Sequence, residues 1–340
     1  MSWFSQILEN WISYPYLEEY LTSVVHPWWL LMLLILLYSP LICSLLFCWA
    51  LSFLLHIYRK MNNQQESDVS KIWEKPRKLV AQVVHIFGKI WNGYEVIGME
   101  HLPKGPGVII FYHSVTTTEY NFLVAKLFKQ QRQCYSVIDH ALYRIPGLRT
   151  FCDVIGLKDF SKDECVEILK KGHFLGLAPG GGREANFSND YNIMWGKRTG
   201  FARIALEAKV PIIPIFTQNC CEIFRNIGKT RLTRWLYEKT RLLYLPIYGG
   251  FPVKLRTYIG EPIPYDPNIT ATELAEKDFF SPPCAPEFAP EGPSKATPPV
   301  GDSVSTTKTA IENLRDKYQK RPGSILRALS ERFDKHYKTN

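Results

Sequence analysis

An apolar run, Val108 to Tyr112, ends on His113, and Glu119 follows six residues later. Reactive groups in α/β sheets stand at the carboxyl ends of buried strands, and His113 occupies such a place. An imidazole there can take a proton from a hydroxyl nucleophile. A carboxylate nearby can fix its tautomer and stabilise the imidazolium. Six residues of continuous helix turn through about 600°, so His113 and Glu119 can meet only across a strand-to-helix turn. A plain structural reading stands beside this one. His113 can be a satisfied core histidine, and Thr116-x-x-Glu119 matches a capping box, in which Glu119 accepts a backbone N–H.

A second constellation is "APGGGREA", residues 178–185. Gly180, Gly181 and Gly182 allow close backbone approach. Their N–H groups suit an anion nest or an oxyanion site. Arg183 suits a phosphate, and Glu184 an anchor for the turn. A tight connection with solvated charges is the alternative. No G-K-[ST] follows, and the G-x-G-x-x-G spacing is missing, so neither a Walker loop nor a dinucleotide fingerprint is present. The absence of G-x-S-x-G argues against an elbow-type serine hydrolase.

The elements that must position these residues follow from periodicity. Ser70 to about Trp91 has helical apolar spacing. "YEVIGMEHLP" predicts a strand entering a turn, "GVIIFYH" a buried strand, Glu119 to Gln130 a helix, and "CYSVIDH" another strand. Ser161-x-x-Glu164 opens a helix that runs to Lys171. "FLGLAPGGGRE" predicts a strand ending in the glycine turn. A helix then starts at Thr199 or Gly200, and "VPIIPIF", residues 210–216, is a strand whose two prolines predict an edge or a bulge. Alternating strands and helices imply an α/β fold, a layered sheet flanked by helices.

The flanks differ from this body. Residues 1–26 form an N-terminal segment without Lys or Arg, and residues 27–58 carry no formal charge. One straight helix over the latter would be about 48 Å long, against a hydrocarbon core of about 30 Å. Ser39–Pro40 interrupts it. The segment predicts a membrane anchor, either one tilted, kinked helix or a hairpin. Arg59, Lys60, Lys71, Lys75, Arg77 and Lys78 follow, which places the body, residues 69–277, on the cytosolic side. Residues 278–307 are rich in Pro, Ser and Thr and read as a disordered insertion. Residues 308–338 return to helical spacing in two pieces around Arg321-Pro322-Gly323.

The net charge of +9 favours an anionic partner. Residues 225–241 set six basic residues among Leu232, Trp235 and Leu236, a pattern for a solvated face or a membrane interface. No nucleic-acid motif accompanies it, so nucleic acid is not an expected partner. The eight cysteines have no metal-ligand spacing, and no metal site or disulfide framework is expected.

The order of the motifs is more specific than any one of them. Gly98-Met-Glu-x-Leu-Pro103, His113 with an acid after it, the Pro-Gly-Gly turn near residue 180 and Val210-Pro-Ile-Ile-Pro214 occur in succession. This succession resembles the glycerolipid acyltransferase superfamily, with its H-x-x-x-x-D motif, glycine-rich block and V-P-[IV]-x-P block. "PGGGREA", "MWGKRTGFARIA", "VPIIPIFTQN" and "YGGFPVKLRTYIGEPIPYDP" look similar to a storage-lipid-synthesising branch of it. The resemblance covers residues 70–277 and 308–335.

It implies an endoplasmic-reticulum membrane enzyme with a cytosol-facing site. Such an enzyme moves a fatty acyl group to mono- or diacylglycerol, making triacylglycerol or related ether lipids. The donor would be acyl-CoA or a membrane phospholipid, with no cofactor and no metal. His113 maps onto the family histidine as general base, with Glu119 orienting Nδ1–H and the Gly180–Gly182 amides facing the oxyanion. Glu119 departs from the family's Asp and lies one residue further on. Its extra methylene displaces the carboxylate by about 1.5 Å, and misplacement on that scale can cost about 10²-fold in rate. Two other outcomes remain open. One is a lysophosphatidic acid acceptor, with phosphate held by Arg183 and Lys197 or Arg198. The other is a weakly active membrane-anchored scaffold on the same fold.

Overall fold

A computed structural model describes residues 27–61, 73–140, 148–226, 230–240, 247–275 and 307–333. Its centre is strand β2 (Gly107–Phe111), buried along its whole length. Val108, Ile110 and Tyr112 pack into one apolar cluster, and Ile109 and Phe111 into another. Alternate residues therefore enter opposite layers, and both faces of the strand are covered, which is why the run reads as continuously apolar.

Around β2 lies a seven-stranded sheet. Its other strands are β1 (Glu95–Ile97), β3 (Cys134–Val137), β4 (Leu157–Lys158), β5 (Phe174–Leu177), β6 (Ile212–Gln218) and β9 (Arg256–Ile259), in the order β1-β9-β6-β2-β5-β3-β4. Strands β2 to β6 run parallel, whereas β9 pairs with β6 in the opposite sense and β1 runs parallel to β9. A separate antiparallel pair joins β7 (Phe224–Asn226) and β8 (Ile247–Gly249). The expected layered α/β fold is present, with a sheet that is parallel in the main.

Helices cover both faces. Helix α2 (Glu74–Asn92), α3 (Thr118–Lys129) and, near the C-terminus, α12 (Ile325–Ser330) lie over the layer of Ile109 and Phe111. The opposite layer takes α5 (Lys162–Lys170), α7 (Gly200–Ala208), α10 (Ala271–Ala275) and α11 (Thr307–Tyr318). Helix α5 starts at a complete capping box. Glu164 N donates to Ser161 Oγ at 3.3 Å, and Ser161 N donates to Glu164 Oε2 at 2.8 Å. The second capping box expected from sequence does not form. Helix α3 begins after Thr117, whose φ of 50° is left-handed, and no side chain caps it.

Strand β6 corrects a second expectation. It is central, between β9 and β2, despite Pro214. Ile215 pairs with Ile259, but Ile212 bridges to Ile263, so the β9 side slips by one residue at Pro214. A proline is tolerated where the ladder has a bulge, since the missing N–H has no regular acceptor there. The bulge half of the expectation holds and the edge half does not.

Helix α1 (Pro27–Met61) covers the hydrophobic segment. It consists of Trp29–Pro40 and Leu45–Met61, bent by 41°. Pro40 removes one backbone donor and crowds the preceding turn, which accounts for the bend. No single helix among the described residues is long and apolar enough to cross a membrane; the bent pair reaches that length and apolarity only when its two parts are taken together. The N-terminal segment and the Pro-rich insertion lie outside the described residues.

Candidate active site

His113 stands two residues beyond the end of β2, and the turn that follows leads directly into α3. Its Nδ1 lies 2.7 Å from the Ser114 carbonyl oxygen. A carbonyl only accepts, so Nδ1 carries the hydrogen and Nε2 keeps its lone pair. Burial lowers the imidazole pKa, and the Ser114 carbonyl partly offsets this. The ring is therefore neutral near pH 7, the form required of a base.

Glu119 is almost fully buried in the first turn of α3. It does not touch His113 through Nδ1, whose partner is the Ser114 carbonyl. The Ser114 side chain pulls the Glu119 pKa down, and Ser114 Oγ accepts from Thr117 N at 3.0 Å. Ser114 thus stands between the two residues expected to pair. Glu119 Oε2 has no partner among the described residues.

Burial pushes the Glu119 carboxyl up to about 7 from its ordinary 4.5. The folded state therefore holds the proton more tightly than the unfolded chain. Stability falls as pH rises from about 4.5 to about 7, by an amount on the order of 3 kcal/mol. Glu119→Gln removes that dependence. Its melting temperature relative to wild type is expected to rise between pH 5 and pH 8. A difference that stays constant across that range would contradict the account of Glu119 as a buried acid.

The glycine turn is built differently from expectation. Gly180 precedes the short helix α6 (Gly181–Phe187), and Glu184 within that helix is fully buried. Glu184 Oε2 accepts the His113 backbone N–H, and Oε1 accepts Met194 N–H, both at 2.8 Å. One carboxylate thus ties together the His113 turn, the glycine turn and the segment before α7. Burial pushes it up to about 7, against the pull of those two N–H groups and of Arg198. A Cβ on Gly180 would overlap the Glu184 carboxyl group, which explains the glycine there.

Gly181 N–H is already bonded to Ala178 O at 3.0 Å. Arg198 Nη1 donates to Pro179 O at 2.8 Å and to Gly180 O at 2.9 Å, bracing the turn from outside. Arg183 is exposed on α6.

A cavity of about 350 Å³ opens beside His113. Ser114, Asp190, Glu222, Arg225 and Gly323 are among its lining residues, whereas Gly180, Gly181, Gly182, Arg183 and Glu184 are not. Glu222 belongs to the short helix α8 (Cys220–Ile223) and Arg225 to β7. Gly323 comes from the segment between α11 and α12, far along the chain. Sequence reasoning passed over Ser114, Glu222 and Gly323. The only signal was the Arg321-Pro322-Gly323 break in an otherwise helical tail.

Residues 93–218 match the family model described as Acyltransferase. That span contains His113, Glu119 and the glycine turn. A mouse protein named "DGAT1/2-independent enzyme synthesizing storage lipids" is 44% identical over 336 residues, covering 98% of this chain and 93% of its own. The human protein of that name is 45% identical over 330 residues, covering 96% and 93%. The chain belongs to the acyltransferase family. This acyltransferase is also similar to the solved structure of the 1-acyl-sn-glycerophosphate (LPA) acyltransferase PlsC from Thermotoga maritima. That similarity has a TM-score of 0.40 at 19% identity, over 64% of this chain and 85% of that one. The motif order in the sequence thus led to the right family.

Proposed function

We propose that this acyltransferase is a membrane-bound glycerolipid O-acyltransferase. It moves a fatty acyl group to the free hydroxyl of mono- or diacylglycerol, making triacylglycerol and related storage or ether lipids. The observation that carries this reading is the state of His113. Its Nδ1 is engaged by the Ser114 carbonyl, its backbone is held by Glu184, and the residue lines a cavity. The names of the mouse and human relatives support the choice of storage lipid.

In the reaction, His113 Nε2 accepts the proton of the acceptor hydroxyl as its oxygen attacks the acyl carbonyl. The imidazolium that forms is stabilised at Nδ1–H by Ser114 O. Glu119 acts one step removed, through the Ser114 hydroxyl. The glycine turn lies outside the cavity lining and its Gly181 N–H is already bonded, so the oxyanion is not assigned to it in this scheme. Collapse of the tetrahedral intermediate expels the CoA thiolate, or the lysophospholipid alkoxide, which takes the proton back from His113. Arg183, exposed on α6, suits a phosphate of either donor. No step calls for a cofactor or a metal.

The membrane reading rests on exposed apolar surface. Trp29 is 64% exposed, and Leu30 to Leu36 also face outward. On α2, Leu79, Val83, Ile86, Phe87, Ile90 and Trp91 form an exposed stripe at helical spacing. Continuous patches of this extent mark a surface that meets another apolar phase. An endoplasmic-reticulum location with a cytosol-facing site agrees with the basic residues that follow the anchor.

The test is acyl transfer on membranes containing the full chain. Deuterated oleoyl-CoA and deuterated phosphatidylcholine are offered separately as donors, with dioleoylglycerol as acceptor. Labelled triacylglycerol is expected from one donor or both. Absence of labelled triacylglycerol with both donors, together with absence of labelled diacylglycerol when monooleoylglycerol is the acceptor, would overturn the proposal.

A further inference from the structure

The cavity beside His113 brings two carboxylates and one guanidinium to its lining. Glu222 is 1% exposed and is the hub of its far wall. It accepts from the Tyr191 hydroxyl and from Arg225 Nη2, the latter at 3.2 Å. Arg225 Nη2 also reaches Gly323 O at 3.3 Å, and Gly323 N donates to Asp190 Oδ1 at 3.3 Å. A Cβ on Gly323 would overlap Glu222 Oε1, so this wall closes only around glycine. Arg225 Nε is buried and has no partner among the described residues.

We propose that this cavity holds the acceptor headgroup and that its lining selects uncharged glyceryl groups against phosphomonoesters. The inference rests on the acyltransferase reading above and deepens it. Asp190 and Glu222 bring two carboxylates to the lining and Arg225 one cation, already paired with Glu222. Burial pushes the Glu222 carboxyl up, and the Tyr191 hydroxyl and Arg225 pull it back. In either protonation state the lining lacks the surplus positive charge that phosphate recognition uses. Arg327 lies behind the wall, and its guanidinium is taken up by the Lys320 and Pro322 carbonyls. The cations expected to hold the phosphate of a lysophosphatidic acid are elsewhere. Arg183, Lys197 and Arg198 are not in the lining, and Arg198 is bound to the glycine turn.

The remaining polar groups fit a glyceryl headgroup. Asp190 and Glu222 accept from hydroxyls, and Arg225 Nε can donate to a hydroxyl or ester oxygen. The cavity's 350 Å³ is at the low end of about 300–1,000 Å³ for ligand sites. It has room for a headgroup and its ester, with the acyl chains leading out.

The test compares acceptors in vesicles containing the full chain and one fixed acyl donor. Monooleoylglycerol, dioleoylglycerol and 1-oleoyl-lysophosphatidate are offered in parallel. Wild type is expected to favour the neutral acceptors by at least about 10-fold, since like charges across a contact cost several kcal/mol. Asp190→Lys is expected to shift the ratio of lysophosphatidate to monooleoylglycerol use upward by about 10-fold. Asp190→Asn, which keeps the shape and tolerates the left-handed φ of 47° there, shifts it the same way by a smaller factor. An active wild type that prefers lysophosphatidate would overturn the inference, as would ratios left unchanged in both variants. Unchanged ratios in both variants leave the neutral-acceptor reading above intact, whereas a preference for lysophosphatidate removes that acceptor as well and leaves only acyl transfer. A wild type inactive on all three acceptors would instead remove the reading on which the inference rests.

Discussion

His113→Ala is expected to lower acyl transfer by about 10²–10⁴-fold, the range of a positioned general base, without a change in melting temperature. The second half matters as much as the first. Among the described residues the imidazole makes one hydrogen bond, from Nδ1 to the Ser114 carbonyl. Its loss leaves that carbonyl beside a cavity, where water can replace the donor. Circular dichroism and a melting curve on the same preparation separate chemistry from folding. A variant that keeps wild-type rates would show that His113 is the satisfied core histidine of the alternative reading.

The second large effect is expected at Glu184. Glu184→Ala strands the His113 and Met194 N–H groups, both held at 2.8 Å in the native fold. Each unsatisfied buried donor costs about 1–3 kcal/mol, so the melting temperature should fall clearly. The rate should fall as well, by about 10²-fold, because the turn that carries His113 loses its fixed point. Glu184→Gln separates the two consequences. It retains volume and one acceptor but sets an amide NH₂ against one of the two donors. The expected result is a smaller loss of stability, with kcat lowered more than KM is raised. Loss of stability with an unchanged kcat would make Glu184 a purely structural residue.

Much of this arrangement was legible in local pattern. The buried strand ending at His113, the capping box at Ser161 and the two-piece helical tail follow from short-range rules of periodicity and capping. The site was less legible because its contacts join distant segments. Glu184 lies 71 residues from His113, and nothing near "PGGGREA" announces that its glutamate accepts from that backbone. A solvated Glu184 fits the local pattern as well as a turn anchor does, and only the fold shows that it anchors. The match of Thr116-x-x-Glu119 to a capping box also misled. Ser114 takes the Thr117 N–H, Thr117 turns left-handed, and Glu119 points into the core.

Pro214 shows the same limit in the sheet. Its position in a central strand depends on β9, more than 40 residues later, slipping its register where the missing N–H falls. The cavity wall at Gly323 depends on a segment that returns after the whole sheet is built. In both cases the deciding partner is non-local, and the local signal is only the presence of a proline or a glycine.

The most direct test of the central claim, that His113 performs acyl transfer to a neutral glycerolipid, is the lipid profile of cells. Wild type and His113→Ala are expressed at equal levels in cells lacking other triacylglycerol-forming activity. Triacylglycerol is expected to rise with wild type and to stay at the level of untransfected cells with His113→Ala. An equal rise with both proteins, or no rise with either at matched expression, would contradict the account.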